Sequence, residues 1–499
     1  MPTTDDALAG TPGRATPDPA SPDRARPDPV GPPAEYAPMG ALALTDHERW
    51  PSLPTADLVR VEAARQHPAA PVWVHATGDR LDTADLTALA ARGRTQQSAT
   101  PPDWVAALVE RAHATVPRYR AAARDGRSGP SSPLHELPTV TRHDLVTDLA
   151  AHVPVDVPLD RVLQGTSSGS TGAALVVPLH PRAVAADLLL LHALVEATGT
   201  TWVADAARLG LLNLVDQRAA FTYVSAMSAF PRDPGVPAPL MARVNLDASA
   251  WRAAGDRERW LAEHDPQVVS TSTLPLVHLL DLAEAGLALH PLAVVNGATH
   301  VTPAVRRRVH DVWGAPLLDL YGLRETGPVA VAGEDAPGHV VVDRRVHVEV
   351  LDPAGRPVAP GERGEVVVTV DENPYLPLLR YRTGDHAALG STADGRPVLL
   401  GLEGRAAVRY LDASGVARPS VDATQVLQAA GLVAWHVHQD AAGGVLLRAV
   451  APDVLAAQAA ARAVRDWLGR DVALDVLDDV ADLGPGKPAR WSSDVPGLG

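Results

Sequence analysis

The sequence predicts an α/β fold: a large domain of mixed and parallel sheet with a β-rich subdomain, followed by a small, mobile α+β C-terminal domain. Three observations lead there. Strand-length apolar runs alternate with helical stretches over the first two thirds of the chain. Strand-like runs joined by turn-rich segments replace them past residue 340, and a strand–helix pattern closes the chain.

In chain order, residues 1–38 are rich in Pro, Asp, Ala, Thr and Arg and nearly devoid of large apolar side chains. Such a segment cannot bury enough surface to offset its ordering entropy, so a disordered tail is expected. Asp103 is placed to cap a helix whose apolar positions Trp104, Val105, Leu108 and Val116 recur near helical spacing. Leu188 to Leu191 and Leu194 mark the buried face of a second helix over 183–197. The runs Leu175–Val177, Leu209–Leu214, Val268–Ser270 and Leu292–Asn296 have the length of buried strands. Thr302 and Pro303 open another helix, and Gly314 stops it. Beyond residue 340, Val346–Leu351 and Glu365–Val370 read as strands around the turn-rich segment Asp352-Pro353-Ala354-Gly355-Arg356. Strands within 434–450 and a helix over 454–469 form the last unit, and the domains are expected at 39–403 and 404–499.

A chain of 499 residues exceeds one simple core, and its 46% hydrophobic and 21% charged residues suit an ordinary globular protein. The net charge of −15 argues against nucleic-acid binding, which needs a basic footprint. It leaves room for an anionic nucleotide held by local N–H groups and one Lys. The count of 0 Cys excludes disulfides, a thiolate zinc site and a cysteine nucleophile. No apolar run approaches the ~18 residues of a membrane span, and no signal-peptide pattern opens the chain. A cytoplasmic protein without a membrane partner is expected.

Four segments carry candidate chemistry. Gly165-Thr166-Ser167-Ser168-Gly169-Ser170-Thr171-Gly172 offers the close backbone approach and the many donors that a polyphosphate needs, although Gly/Ser-rich loops are commonly just flexible. Tyr321-Gly322-Leu323-Arg324-Glu325-Thr326-Gly327 comes directly off the apolar run Pro316–Leu320, at the strand end where open α/β sheets place ligands. There Tyr321 can stack on a purine, Glu325 can hold Mg²⁺ and Thr326 can donate to a phosphate, the bland reading being a charged surface turn. Arg380-Tyr381-Arg382-Thr383-Gly384-Asp385 puts a carboxylate just past a Gly turn, suited to a ribose diol. Gly484-Pro485-Gly486-Lys487-Pro488-Ala489-Arg490 presents one Lys on a stiffened loop, where a solvated surface Lys is the usual explanation.

Their types, order and spacing together resemble the adenylate-forming superfamily, and look most like its phenylacetate–CoA ligase branch. The resemblance spans residues from about 100 to 491, and the phrase Asn373-Pro374-Tyr375-Leu376-Pro377-Leu378-Leu379-Arg380 leading into the third motif favours that branch. It implies that Ser167, Ser168, Gly169, Ser170, Thr171 and Gly172 grip the β- and γ-phosphates. Tyr321 would pack on adenine, Glu325 bind Mg²⁺, and Thr326 contact the α-phosphate. Asp385 would hold the ribose hydroxyls with help from Arg405, and Lys487 would reach the α-phosphate and the attacking oxygen. The resemblance makes 39–403 the AMP-binding domain, ATP and Mg²⁺ the cofactors, and coenzyme A a candidate co-substrate.

Two departures stand out. Ala173-Ala174 follow the phosphate loop where the family usually has Lys-Pro. The hinge reads Gly404-Arg405-Ala406-Ala407-Val408-Arg409 instead of running into acidic residues, which bears on the coenzyme A step more than on adenylation. Phe221, Tyr223, Asn296, Gly297 and Ala298 are expected to line the acid pocket. His436 and His438 alternate on a strand among apolar residues, so they read as structural rather than metal-binding. The function expected is an AMP-forming ligase that adenylates a small aromatic acid, releases pyrophosphate and passes the activated group to coenzyme A or an amine. Two alternatives stand beside it. One is a diazotase of secondary (antibiotic) metabolism taking nitrite plus an aryl amine; the other is an inactive scaffold of the same fold. A homodimer is carried as the assembly.

Overall fold

The computed structural model describes residues 44–496 except 93–96, 98–99, 168–174, 217–219, 221, 300, 335, 405–407, 421–422, 424–426, 428–429 and 485–488; for 164–167 and 419 only the backbone is described. The tail expected at 1–38 lies outside the described residues.

An antiparallel pair, β1 (Leu163–Ser167) and β2 (Leu175–Leu179), precedes a twelve-stranded sheet. The parallel half of that sheet holds β3 (Leu211–Val215), β5 (Leu240–Asn245), β6 (Val268–Thr271), β7 (Ala293–Gly297) and β8 (Leu317–Leu323), with β4 (Tyr223–Ala226) antiparallel on its edge. The antiparallel half holds β9 (Gly327–Ala332), β10 (His339–Val341), β11 (Val346–Leu351), β12 (Arg363–Val370), β13 (Leu378–Ser391) and β14 (Pro397–Glu403). The order is β4-β5-β3-β6-β7-β8-β9-β10-β14-β13-β12-β11. The β-rich region is therefore continuous with the parallel sheet, joined through the β8–β9 hairpin.

Downstream come the pair β15 (Arg409–Leu411) and β16 (Ala417–Pro419), then β17 (Ala434–Gln439), β18 (Val445–Val450), β19 (Val472–Val476) and β20 (Trp491–Ser493). The last four form their own sheet, ordered β19-β18-β17-β20, against the helix Val454–Leu468.

The helices follow their end signals with one difference. Thr302 caps Pro303–Trp313 by accepting from the Val305 N–H at 3.3 Å, and Gly314 ends it at φ 64°. Asp103, expected as a cap, is instead the first residue of Asp103–Thr115; the extended Pro102 precedes it, and the carboxylate lies in the first turn, where it favours the helix dipole. The second expected helix starts earlier, at Pro181, because His180 accepts from the Arg182 N–H at 3.1 Å and proline suits the first turn.

The core lies on both faces of the parallel strands. On β7, Ala293 and Val295 pack with Val195, Leu211, Val268 and Leu318 beneath the 181–196 helix. Val294 points the other way, toward Leu276, Leu280, Val305, Val309 and Leu317. Strands buried on two faces are apolar throughout, which is why these runs lack alternation. Each fully buried Val or Leu contributes roughly 1.5–3 kcal/mol. Val450, Val480 and Leu483 join the second cluster, so the C-terminal elements share core with the parallel sheet.

Candidate active site

The hairpin β8–β9 gathers the expected site residues. Alternation along β8 sends Leu318 and Leu320 toward the 181–196 helix. Asp319 and Tyr321 take the opposite face, with Leu317, where a cavity of about 550 Å³ opens between the large sheet and the C-terminal one. Ala298, Asp319, Tyr321, His339, Asp385 and Arg490 are among its walls. Gly322 must be glycine, because a Cβ there would lie 2.5 Å from the Gly327 carbonyl oxygen across the hairpin.

Two tyrosine–carboxylate hydrogen bonds tie the hairpin to β13. Tyr321 Oη donates to Asp385 Oδ2 at 2.8 Å, and Tyr381 Oη donates to Glu325 Oε1. Each bond joins one hairpin residue to one β13 residue, so the carboxylates at 325 and 385 are tied to the same two elements, Asp385 on the cavity wall and Glu325 in the buried hairpin turn. Burial and the adjacent carboxylates raise both phenol pKa values, which keeps both hydroxyls as donors. Glu325 is 4% exposed and stands 3.8 Å from Arg142 Nη1. Thr326 Oγ1 accepts from the Leu323 N–H at 3.3 Å and donates to the Gly327 carbonyl at 2.9 Å, closing the turn.

Asp385 does not end a turn, as its Gly neighbour suggested. It lies within the long β13, where Gly384 at φ 79° and a register shift opposite Glu365–Val367 re-aim the chain. Ala298 lines the cavity at φ 67°, a conformation that costs an L-residue roughly 1–2 kcal/mol. Gly297 closes β7 beside it.

Asn296 and Tyr223 need correction. Asn296 is 0% exposed and lines nothing. It donates to Asp319 Oδ1 at 2.8 Å and accepts from Thr273 Oγ1 at 3.3 Å, so it braces Asp319 instead. Tyr223 sits on the edge strand β4, five strands from Tyr321 and thus about 24 Å away across the sheet. Its ring meets His75 at 6.1 Å, outside the cavity. Phe221, Arg405, Lys487 and Ser168 to Gly172 lie outside the described residues, and Ser167 is described only as the last residue of β1. His436 and His438 both hydrogen-bond Ser492 Oγ at 2.8 Å.

The structure adds four residues. Tyr381 was visible inside the third motif as the residue between two arginines. Asp319 and His339 had no sequence signal, since strand pairing alone brings them within 3.5 Å of each other. Arg490 closes the fourth motif and lies over the Trp435 ring at 5.4 Å. Its Nη1 is buried without a hydrogen bond among the described residues. Burial lowers the Arg490 pKa, and Glu403 and Asp319 oppose that shift, so the guanidinium stays charged and faces the cavity.

A histidine holds the two sheets together. His278, on the helix Thr273–Glu284, binds Asp216 through Nδ1 and Asp479 Oδ1 through Nε2 at 3.0 Å. Asp479 precedes the turn that carries Val480 and Leu483 to the cavity. The Asp216 hydrogen bond, aided by Asp479 and opposed by burial, pushes the His278 pKa up to about 9. A raised pKa stabilises docking fully below the unfolded value near 6.5, and that contribution is lost as pH rises through about 9. Protease susceptibility of the segment before β17 is therefore expected to rise progressively between about pH 6.5 and 9. In His278→Ala it should be high and pH-independent; an unchanged pH response in that variant would remove His278 from the link.

Comparison with known proteins finds matches over part of the chain. Residues 130–372 match the AMP-binding enzyme family. The phenylacetate-coenzyme A ligase of Escherichia coli is 36% identical over 95 residues, which are 18% of this chain and 22% of that protein. That of Thermus thermophilus is 27% identical over 295 residues, covering 56% and 62%. The chain thus spans less than two thirds of the length of these curated relatives. A solved 2-hydroxyisobutyryl-CoA ligase, in the postadenylation state with 2-HIB-AMP, superposes with a TM-score of 0.57 at 18% identity, covering 81% of this chain and 91% of that one. That likeness concerns the fold. The family match covers just under half of the chain, and with the curated matches it makes the chain similar to the phenylacetate–CoA ligase-like branch of the adenylate-forming superfamily. Among the described residues no helix is long and apolar enough to cross a membrane.

Proposed function

We propose that this protein is an ATP-dependent, AMP-forming ligase that adenylates a small aromatic acid and releases pyrophosphate. The observation that carries this reading is the crosswise pair of tyrosine–carboxylate bonds: Tyr321 and Asp385 line the cavity as an aromatic ring and a diol acceptor, and the buried Glu325 is held in the adjoining hairpin turn by Tyr381. Tyr321 flanks the base, Asp385 takes the ribose hydroxyls, and Thr326 with the loop Ser167 to Gly172 faces the phosphates. Lys487 is assigned to the α-phosphate; in the sequence it falls between Leu483 and Ala489, both of which line the cavity.

Glu325 suits the Mg²⁺ that accompanies ATP. Magnesium in such sites takes one or two carboxylates beside substrate phosphates, so the lack of a three-ligand acidic cluster among the described residues is no obstacle. Only Oε1 of Glu325 receives the Tyr381 hydrogen bond, which leaves Oε2 for the cation. The ion supplies charge neutralisation at the phosphates.

Activation proceeds by placing charge where the acid oxygen attacks the α-phosphorus and pyrophosphate leaves. The acceptor is coenzyme A or an amine. A second reading, nitrite-dependent diazotisation of an aryl amine, draws on the hinge Gly404-Arg405-Ala406-Ala407-Val408-Arg409, whose missing acidic residues bear on thioester formation. A pyrophosphate-release screen with aromatic acids, with and without coenzyme A, and with nitrite plus aminobenzoates separates them. Coenzyme A dependence selects the thioester ligase, nitrite dependence selects diazotisation, and silence under every condition selects the inactive scaffold.

A further inference from the structure

The reverse face of the hairpin carries a charged group that the nucleotide cavity does not use. Asp187 lies within the 181–196 helix, and its Oδ1 accepts from Arg344 Nη1 at 2.7 Å. Both press on the second motif. A Cβ on Gly327, the residue after Thr326, would lie 3.0 Å from Arg344 Nη1 and 3.1 Å from Asp187 Oδ1. Arg344 also faces Glu372 at 3.6 Å, and Glu372 pairs with Arg92 at 2.7 Å. The side chains of Arg344 and Glu372 are sealed, at 7% and 4% accessibility.

Asp187 is different. Protein surrounds it closely enough that burial raises its carboxyl pKa, with Arg344, Glu372 and Arg324 as the charges acting on it. Yet its side chain keeps 38% of its accessible surface. A carboxylate that is deep in the molecule and still reached by solvent lines a recess, not a packed core. Its Oδ2 makes no hydrogen bond to a described residue, and the neighbouring Arg344 Nε is buried without a partner among the described residues. The same helix supplies Leu188, Leu191 and Leu194, which remain only partly buried and pack, like Leu320 and Val331, against the same core cluster. Partly buried leucines and one solvent-reached carboxylate therefore share the helix behind the hairpin, while Tyr321 lines the cavity at its front.

This inference rests on the ligase reading, in which the acid meets the α-phosphate at Thr326, next to Gly327. We propose that Asp187 reads a hydrogen-bond donor, amino or hydroxyl, carried by the acid that this enzyme activates. A ligand without a donor would cover Oδ2 and leave a desolvated carboxylate unpaired; a ligand with one satisfies it. Sites built to hydrogen-bond a substrate discriminate strongly against analogues that lack the group, more than apolar pockets discriminate by size.

The test compares 3-aminobenzoate and 3-hydroxybenzoate with their methyl isostere, 3-methylbenzoate. Readouts are pyrophosphate release and calorimetric binding in the presence of a non-hydrolysable ATP analogue. The wild type should favour the donor-bearing acids by about 10–100-fold in both. Asp187→Leu should collapse that ratio. Asp187→Asn should collapse it too, because the amide oxygen turns to Arg344 and presents a donor to the ligand's donor. If Asp187 merely anchored Arg344 under the hairpin, both variants would lower all acids equally and keep the ratio, which overturns the proposal. Equal use of all three acids by the wild type also overturns it and leaves the ligase reading intact. If no acid is activated or bound, the ligase reading falls, and this one falls with it.

Discussion

Lys487→Ala is expected to slow acid-dependent pyrophosphate release by about 10²–10³-fold, the usual effect of removing one preorganised charge at a developing anion, roughly 2.7–4 kcal/mol. Leu483, Ala489 and Arg490, which flank the segment carrying Lys487 in the sequence, are all on the cavity wall. The unfolding temperature should not move, because among the described residues the C-terminal core is built on Trp435, Val437, Leu447, Val464 and Trp491. Lys487→Arg keeps the charge but replaces a compact ammonium by a planar fork, so it should recover only part of the rate. Unimpaired pyrophosphate release in Lys487→Ala would remove the residue from the chemistry and leave Arg490 as the cation that faces the cavity.

What could be read from the chain and what could not divide along physical lines. Buried parallel strands such as β7 are legible because two-sided burial demands unbroken apolar runs, and the 303–313 helix is legible because Thr302 and Gly314 mark its ends. The second and third motifs were readable as residue sets, but not as partners. Tyr321 bonds Asp385 across 64 positions, and Tyr381 bonds Glu325 across 56, through pairing that no local pattern encodes. The pocket assignment failed at Tyr223 for the same reason. Its aromatic ring was the signal, while its place on the edge strand follows from a strand order in which β5 inserts between β3 and β4. Asn296 misled differently. It was expected at the pocket with Gly297 and Ala298, but Asp319 on the neighbouring strand takes its amide as a donor inside the buried core. Asp187 was hidden inside a leucine-rich helix, where helical spacing marks only the apolar face.

Glu325→Gln is the sharper test of the metal assignment, because it changes charge and almost nothing else. The amide oxygen can still accept from Tyr381, so the buried hydrogen bond survives and stability should stay within about 1 kcal/mol. Arg142, 3.8 Å away and partly exposed, loses an acidic neighbour without becoming sealed and unpaired. What disappears is the anionic oxygen available to a cation. Pyrophosphate release should fall by about 10²–10³-fold, and the Mg²⁺ concentration for half-maximal rate should rise. Tyr381→Phe makes the complementary change: it keeps the carboxylate and removes its donor, so its loss should be smaller and its Mg²⁺ dependence close to normal. If the Glu325→Gln enzyme kept the wild-type Mg²⁺ dependence, Glu325 would be confined to joining the hairpin to β13, and the cation would have to be held by the phosphates and other groups alone.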